Sequence, residues 1–188
     1  MHKIKRCEVS ALQKIFLTQV QGLVNKMNDS YEEAFEDGAR MIAQSILSGA
    51  KIGIHAAGDM EGILAQAVKG VDRFEGLEEV DAASADSFSE RDTVMLFSPS
   101  PNEAEICMLC DQLRQRGVST VALFTGEKRE EGPSLQDLAD VTVDLGVTRG
   151  LVPGEDGERK GHPRLLAALY AYYSLFFTVD EILEEHED

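Results

Sequence analysis

From Val9 to Met27 apolar residues fall at Leu12, Ile15, Phe16, Val20, Leu23, Val24 and Met27, the three-and-four spacing of an amphipathic helix. Asn28-Asp29-Ser30 breaks that pattern. Ser30, with Glu33 three positions on, fits a capping box opening a second helix that runs to about Leu47 and stops at Gly49. The period then changes. Residues 93–97 and 118–124 are apolar runs of strand length, as expected of parallel strands covered on both faces, and residues 51–56 form the first strand. Residues 80–83 and 141–145 are shorter strand candidates, with 84–89 as loop. Residues 60–68, 103–116 and 135–139 predict helices between the strands, the last capped by Ser134. A final helix begins near His162-Pro163 and ends in the acidic tail 181–188, a solvated end.

This order predicts a three-layer α/β/α sandwich with five mainly parallel strands, preceded by two helices. The chain reads as a single domain over 1–188: a helical pair in 1–48, an α/β core in 49–146, and a loop with the C-terminal helix in 147–188. In open parallel sheets ligands sit at the carboxyl edge, where helix N-termini and free backbone amides converge. Function is therefore sought at Gly58-Asp59, at Ser98, Ser100 and Asn102, and at Thr125-Gly126.

Charge narrows the partners. With 18 basic against 34 acidic residues, the formal charge of −16 repels polyanions, so nucleic acid is excluded as an expected partner. Three cysteines are too few for a disulfide framework, and no apolar leader follows the basic start; a cytoplasmic protein is expected. No apolar segment approaches the roughly 20 residues of a membrane span, the nearest being 165–179.

Residues 33–54, ending Ser48-Gly49-Ala50-Lys51-Ile52-Gly53-Ile54, resemble the opening of sugar isomerase (SIS) domains. Gly58-Asp59-Met60, Phe97-Ser98-Pro99-Ser100-Pro101-Asn102-Glu103, Leu123-Phe124-Thr125-Gly126 and residues 134–140 follow in the family's order. The phosphoheptose isomerase branch looks nearest. The resemblance implies an SIS fold, a sugar phosphate or related carbohydrate derivative as ligand, and a homodimer or higher homo-oligomer that builds its sites at the interface. It also implies that hydroxyls of the Ser98–Asn102 turn hold the phosphate. Three positions depart from the pattern. Met60 stands for a serine, Pro101 for a glycine, and Glu103 for a threonine. Pro101 removes a backbone donor, and Glu103 would repel phosphate by a few kcal/mol at close range.

Asn102 either caps the helix that follows it, contacts a ligand, or does both. Aldose–ketose interconversion needs one group to take a proton from carbon and another to move protons between oxygens. Glu61, just after the Gly58 loop, and His162, ahead of the last helix, are the nominated pair. His55 reads as a strand residue facing a polar contact. Cys107 and Cys110, one turn apart beside Ile106 and Leu109, read as core thiols, and no second Cys/His pair has spacing suited to a metal. No cofactor is expected: the first loop lacks a G-x-G-x-x-G spacing. The aromatics Tyr170, Tyr172, Tyr173, Phe176 and Phe177 cover more than one helical face, which points to a buried or interfacial helix. An alternative to enzyme is a catalytically inactive SIS-fold sensor or protein-interaction module, whose acidic surface would suit a basic partner.

Overall fold

The computed structural model describes residues 10–154 and 157–187; Cys7, Val9, Glu155, Asp156 and Asp188 of the segments discussed above lie outside them. The first helix, α1 (Ala11–Leu47), opens on Ser10, whose side chain accepts from the Gln13 amide while Gln13 reaches back to the Ser10 amide. It is continuous through Asn28-Asp29-Ser30. The expected gap between two helices is instead a bend at Tyr31 (φ −130°, ψ 20°), one residue beyond the predicted cap. The two halves have different surroundings. From Met27 onward Phe35, Gly38, Ala39, Ile42 and Ala43 are buried, whereas Leu12 and Leu17 are 56% and 61% exposed.

Strand β1 (Ile52–Ala56) leads through a single 3-10 turn, Gly58–Met60, into α2 (Gly62–Lys69) and then β2 (Leu77–Glu79). After a second 3-10 turn, Ala85–Ser87, come β3 (Thr93–Ser98), α3 (Ala104–Gln115), β4 (Ser119–Phe124), α4 (Leu135–Leu138) and β5 (Val141–Asp144). A small antiparallel hairpin, β6 (Val152–Pro153) and β7 (Arg159–Lys160), precedes α5 (Arg164–Glu187). The main sheet runs β2-β1-β3-β4-β5 with every neighbouring pair parallel.

Alternate strand residues serve the two faces. Ile52, Ile54, Met95, Phe97, Val121, Leu123 and Val143 join the core beneath α1, α2 and α5, while Val94, Leu96, Ala122 and Phe124 join that beneath α3 and α4. The continuous apolar runs arise from this two-sided burial. Gly38 allows α1 to approach closely, since a Cβ there would lie 3.2 Å from both Leu175 and Val121 side chains. The second strand is displaced from its predicted 80–83. It pairs Ile54 with Glu79, and Val80 has already left the ladder, although its amide still donates to the Ile54 carbonyl at 2.9 Å. Val80 is buried but belongs to the turn, so its apolarity marked core and not strand.

On α5, Tyr172 is fully buried and meets Phe74 edge-on at 5.6 Å, with Phe176 also against Phe74 at 5.4 Å. Burying a side chain of this size contributes about 2–3 kcal/mol. The stretch Arg164–His186, at mean hydropathy 1.2, does reach the length and apolarity of a membrane span, contrary to the expectation from sequence. In the fold it is a packing helix: Ala167, Ala168, Ala171, Leu175 and Val179 are buried in the core shared with α1. Phe177 remains 57% exposed, so the aromatic cluster is only partly covered.

Candidate functional site

The chain order reverses between β1 and β3, which makes the carboxyl ends of these strands the switch point where α/β proteins bind ligands. Two loops meet there. Gly58 adopts φ +60°, and a Cβ on it would stand 3.1 Å from Pro99 Cγ, so glycine is needed both for the turn and for the approach of the proline ring. The Ala57 amide donates to the Phe97 carbonyl at 2.9 Å. Met60, at the position of a hydroxyl in the SIS pattern, turns inward and is fully buried in the core under α1, α2 and α5.

The Ser98–Asn102 turn lies at this edge, as expected, but its polar groups are engaged with the protein itself. Ser98 is fully buried; its hydroxyl donates to the Ser100 carbonyl at 2.6 Å and accepts from the Ser100 amide at 3.4 Å. Ser100 Oγ accepts from the Asn102 amide at 3.2 Å. The helix cap is Glu103, without any side-chain cap bond, and not Asn102. Asn102 instead bridges to the loop beyond β4: its Nδ2 donates to the Pro133 carbonyl at 2.9 Å and its Oδ1 accepts from the Arg129 amide at 2.7 Å. Thr125 is buried, with its hydroxyl donating to the Pro99 carbonyl at 2.8 Å. Gly126, at φ +98°, donates its amide to Asp144 Oδ1 at 3.3 Å, and the Gly146 amide joins the same oxygen at 2.8 Å. The Glu103 carboxylate is exposed at the start of α3. Asp59 is tied to the first residue of α5, its Oδ2 lying 3.2 Å from Arg164 Nη1, while Arg164 Nε is buried without a partner.

Beside this closed crevice a cavity of about 570 Å³ opens at the ends of β1 and β2, lined by His55, Glu61, Leu64, Glu79, Val80, Asp81 and Ser84 among others. Glu61 enters from the turn before α2. His55, half-buried and next to last in β1, places Nδ1 2.7 Å from the Val80 carbonyl oxygen. Asp81 Oδ1 accepts from the Ser84 hydroxyl at 2.8 Å and from the Ser84 and Ala83 amides at 2.8 and 3.0 Å. The Ser84 hydroxyl, followed by its amide, holds the Asp81 carboxyl below its ordinary range. Of the pair nominated from sequence, Glu61 lines this cavity and the exposed His162 does not. His55 does face a polar contact, and it also belongs to the cavity wall, which the sequence reading missed. The available signal was a histidine at the end of a strand, followed by an Asp-x-x-Ser turn at 81–84.

Cys107 and Cys110 are buried under α3, in keeping with core thiols. Burial raises both, Cys110 to about 12. Among the described residues no three His, Cys, Asp or Glu side chains are grouped to hold a metal.

A parallel five-stranded sheet between helical layers, with its loops gathered at the carboxyl edge, is the fold of sugar isomerase domains. An Escherichia coli CFT073 protein in complex with arabinose 5-phosphate superimposes with a TM-score of 0.66 at 16% identity, covering 91% of this chain and 89% of that one. The phosphoheptose isomerase GmhA of Neisseria gonorrhoeae gives a TM-score of 0.59 at 12% identity, covering 87% of this chain and 94% of the other. The chain belongs to the family described as "Domain of unknown function (DUF2529)", whose model matches residues 12–183. It is 34% identical over 173 residues to the uncharacterized protein YwjG of Bacillus subtilis (strain 168), covering 92% of this chain and 98% of that protein.

Proposed function

We propose that this protein binds a sugar phosphate or related carbohydrate derivative at the carboxyl edge of its sheet, in the cavity at the ends of β1 and β2. The observation that carries the reading is the cavity itself, whose volume of about 570 Å³ falls within the range of small-molecule sites and whose wall holds Glu61 and His55. Carboxylates and a neutral imidazole accept hydrogen bonds from the hydroxyls of a polyol. With the Glu61, Glu79 and Asp81 carboxylates among its lining, the cavity receives the hydroxyl end of the ligand and any phosphate points out of it. The likeness to the E. coli structure that holds arabinose 5-phosphate supports the ligand class. A panel of pentose, hexose, heptose and amino-sugar phosphates, arabinose 5-phosphate included, is expected to raise the melting temperature at millimolar ligand; no shift from any member overturns the reading.

Aldose–ketose isomerisation of the phosphoheptose isomerase kind is the sharper form, with Glu61 taking the proton from carbon. Glu61→Gln is then expected to abolish ketose formation while leaving binding within about twofold. Equal loss of both removes Glu61 from the chemistry.

A second reading, a catalytically inactive SIS-fold sensor or interaction module, is favoured by the state of the Ser98 turn, in which Ser98, Thr125 and Asn102 are all engaged by loop backbone. In either case the exposed Leu12 and Leu17 on the free half of α1 support a homodimer. Light scattering that gives a monomer at micromolar concentration removes that assembly.

A further inference from the structure

We propose that His55, and not His162, is the imidazole that works with Glu61, so that the cavity at the ends of β1 and β2 is a proton-handling site for a polyhydroxy carbonyl compound; the ligand class rests on the carbohydrate reading above. The geometry of His55 carries the assignment. Its Nδ1 lies 2.7 Å from the Val80 carbonyl oxygen. A carbonyl can only accept, so Nδ1 keeps its hydrogen. That acceptor is itself held in place, because the Val80 amide donates back to the Ile54 carbonyl at 2.9 Å. The ring is thus fixed in one tautomer by backbone on the neighbouring strand's exit. Nε2 is left as the nitrogen with an open lone pair, and no described residue bonds to it.

The other charged groups lining the cavity with His55 come from three places. Glu61 belongs to the turn into α2, Glu79 ends β2, and Asp81 lies in the turn that follows. Asp81 Oδ1 is saturated by Ala83 and Ser84, which makes it a fixed anion. The Glu61 and Glu79 carboxylates, by contrast, have no hydrogen bond or ion pair with any described residue, and of the two Glu61, on the turn into α2, is assigned as the base. His162 precedes Pro163 on the exposed approach to α5 and forms no part of this wall.

An isomerisation balances on these two groups alone. Glu61 takes the proton from the hydroxyl-bearing carbon beside the carbonyl; the C–H electron pair becomes the new C=C bond, and the carbonyl π pair moves onto its oxygen. His55 Nε2 takes the proton of the adjacent hydroxyl and delivers it to that oxygen. The negative charge, now on the second oxygen, closes the new carbonyl, and the C=C pair recovers the proton from Glu61 at the former carbonyl carbon. Oxidation level is exchanged within the sugar, so no external oxidant or reductant enters.

Two measurements test this. In the free protein, nitrogen-resolved NMR of the imidazoles is expected to show neutral His55 carrying its hydrogen at Nδ1, and Glu61→Gln is expected to shift the His55 ring resonances, because both side chains line the cavity. A His55 protonated at Nε2 when neutral, or ring resonances indifferent to Glu61→Gln, overturns the assignment whatever any ligand does. With arabinose 5-phosphate in D2O, the wild type is expected to incorporate deuterium beside the carbonyl. His55→Gln, which keeps a donor for the Val80 carbonyl, should slow that exchange at least about a hundredfold while leaving the melting temperature of the free protein nearly unchanged. Exchange at the wild-type rate in His55→Gln, or its loss in His162→Gln with His55→Gln active, overturns the proposal. If the wild type neither binds nor exchanges while the NMR result holds, the carbohydrate reading fails and the proton-holding pair stands.

Discussion

The two halves of the carboxyl edge use the same kinds of residue to opposite ends. At the ends of β3 and β4, hydroxyl and amide side chains are closed onto backbone: Ser98 on Ser100, Thr125 on Pro99, Asn102 on Pro133 and Arg129. At the ends of β1 and β2, the side chains line an open cavity, and Glu61 and one nitrogen of His55 have no partner among the described residues. The contrast teaches that polar residues at a sheet edge become a binding site only when the local turn leaves their donors and acceptors unspent. A serine can complete a loop as readily as it can hold a ligand.

The comparison breaks first at Ser98. Ser98→Ala removes the partner of both a buried carbonyl and an amide of Ser100, and is expected to lower stability by about 1–3 kcal/mol with binding of the sugar-phosphate panel unchanged within about twofold. Chemical denaturation beside a thermal-shift titration reads both. A tenfold loss of affinity at full stability would mean that the turn contacts ligand after all. A smaller effect is expected of Asn102→Ala, about 0.5–1.5 kcal/mol, because its bonds lie nearer solvent. Hydrogen exchange should then accelerate at the Arg129 amide, which loses its acceptor, and stay unchanged at His55 and Glu61 on the open side.

The smallest effect concerns the cavity rim. Asp81 has its folded pKa below the ordinary 3.8, owing first to the Ser84 hydroxyl. Its contribution is therefore fully present above the unfolded value and is lost as pH falls through the folded one. Acid titration followed by NMR should show the Ala83 and Ser84 amides shifting below pH 3.8, ahead of the Ser98–Ser100 turn, which contains no titrating side chain. Simultaneous change in both regions would erase the distinction.

Much of the fold was legible because two-sided burial leaves an unbroken apolar record, as in β3 and β4, and because Ser134 caps its helix by a purely local bond. The bend at Tyr31 was placed within a residue but read as a gap, since cap residues signal a change of direction whether or not the chain leaves the helix. At the edge, the position of Ser98 and Asn102 could be read but their partners could not. Asn102 bonds to residues 27 and 31 positions away, and His55 finds Val80 only because Ile54 pairs with Glu79 on a short strand whose last two residues are exposed glutamates. Such meetings are set by strand register, which composition does not encode.

The bend in α1 has a mechanical side. Tyr31 shares a small cavity with Asp144 and Gly146, and burial together with the Asp144 charge raises its hydroxyl above the usual tyrosine value. The same carboxylate fixes the amides of Gly126 and Gly146 on the far rim of the sheet. The bend at Tyr31 is thus joined through one carboxylate to the turns that close the ends of β4 and β5.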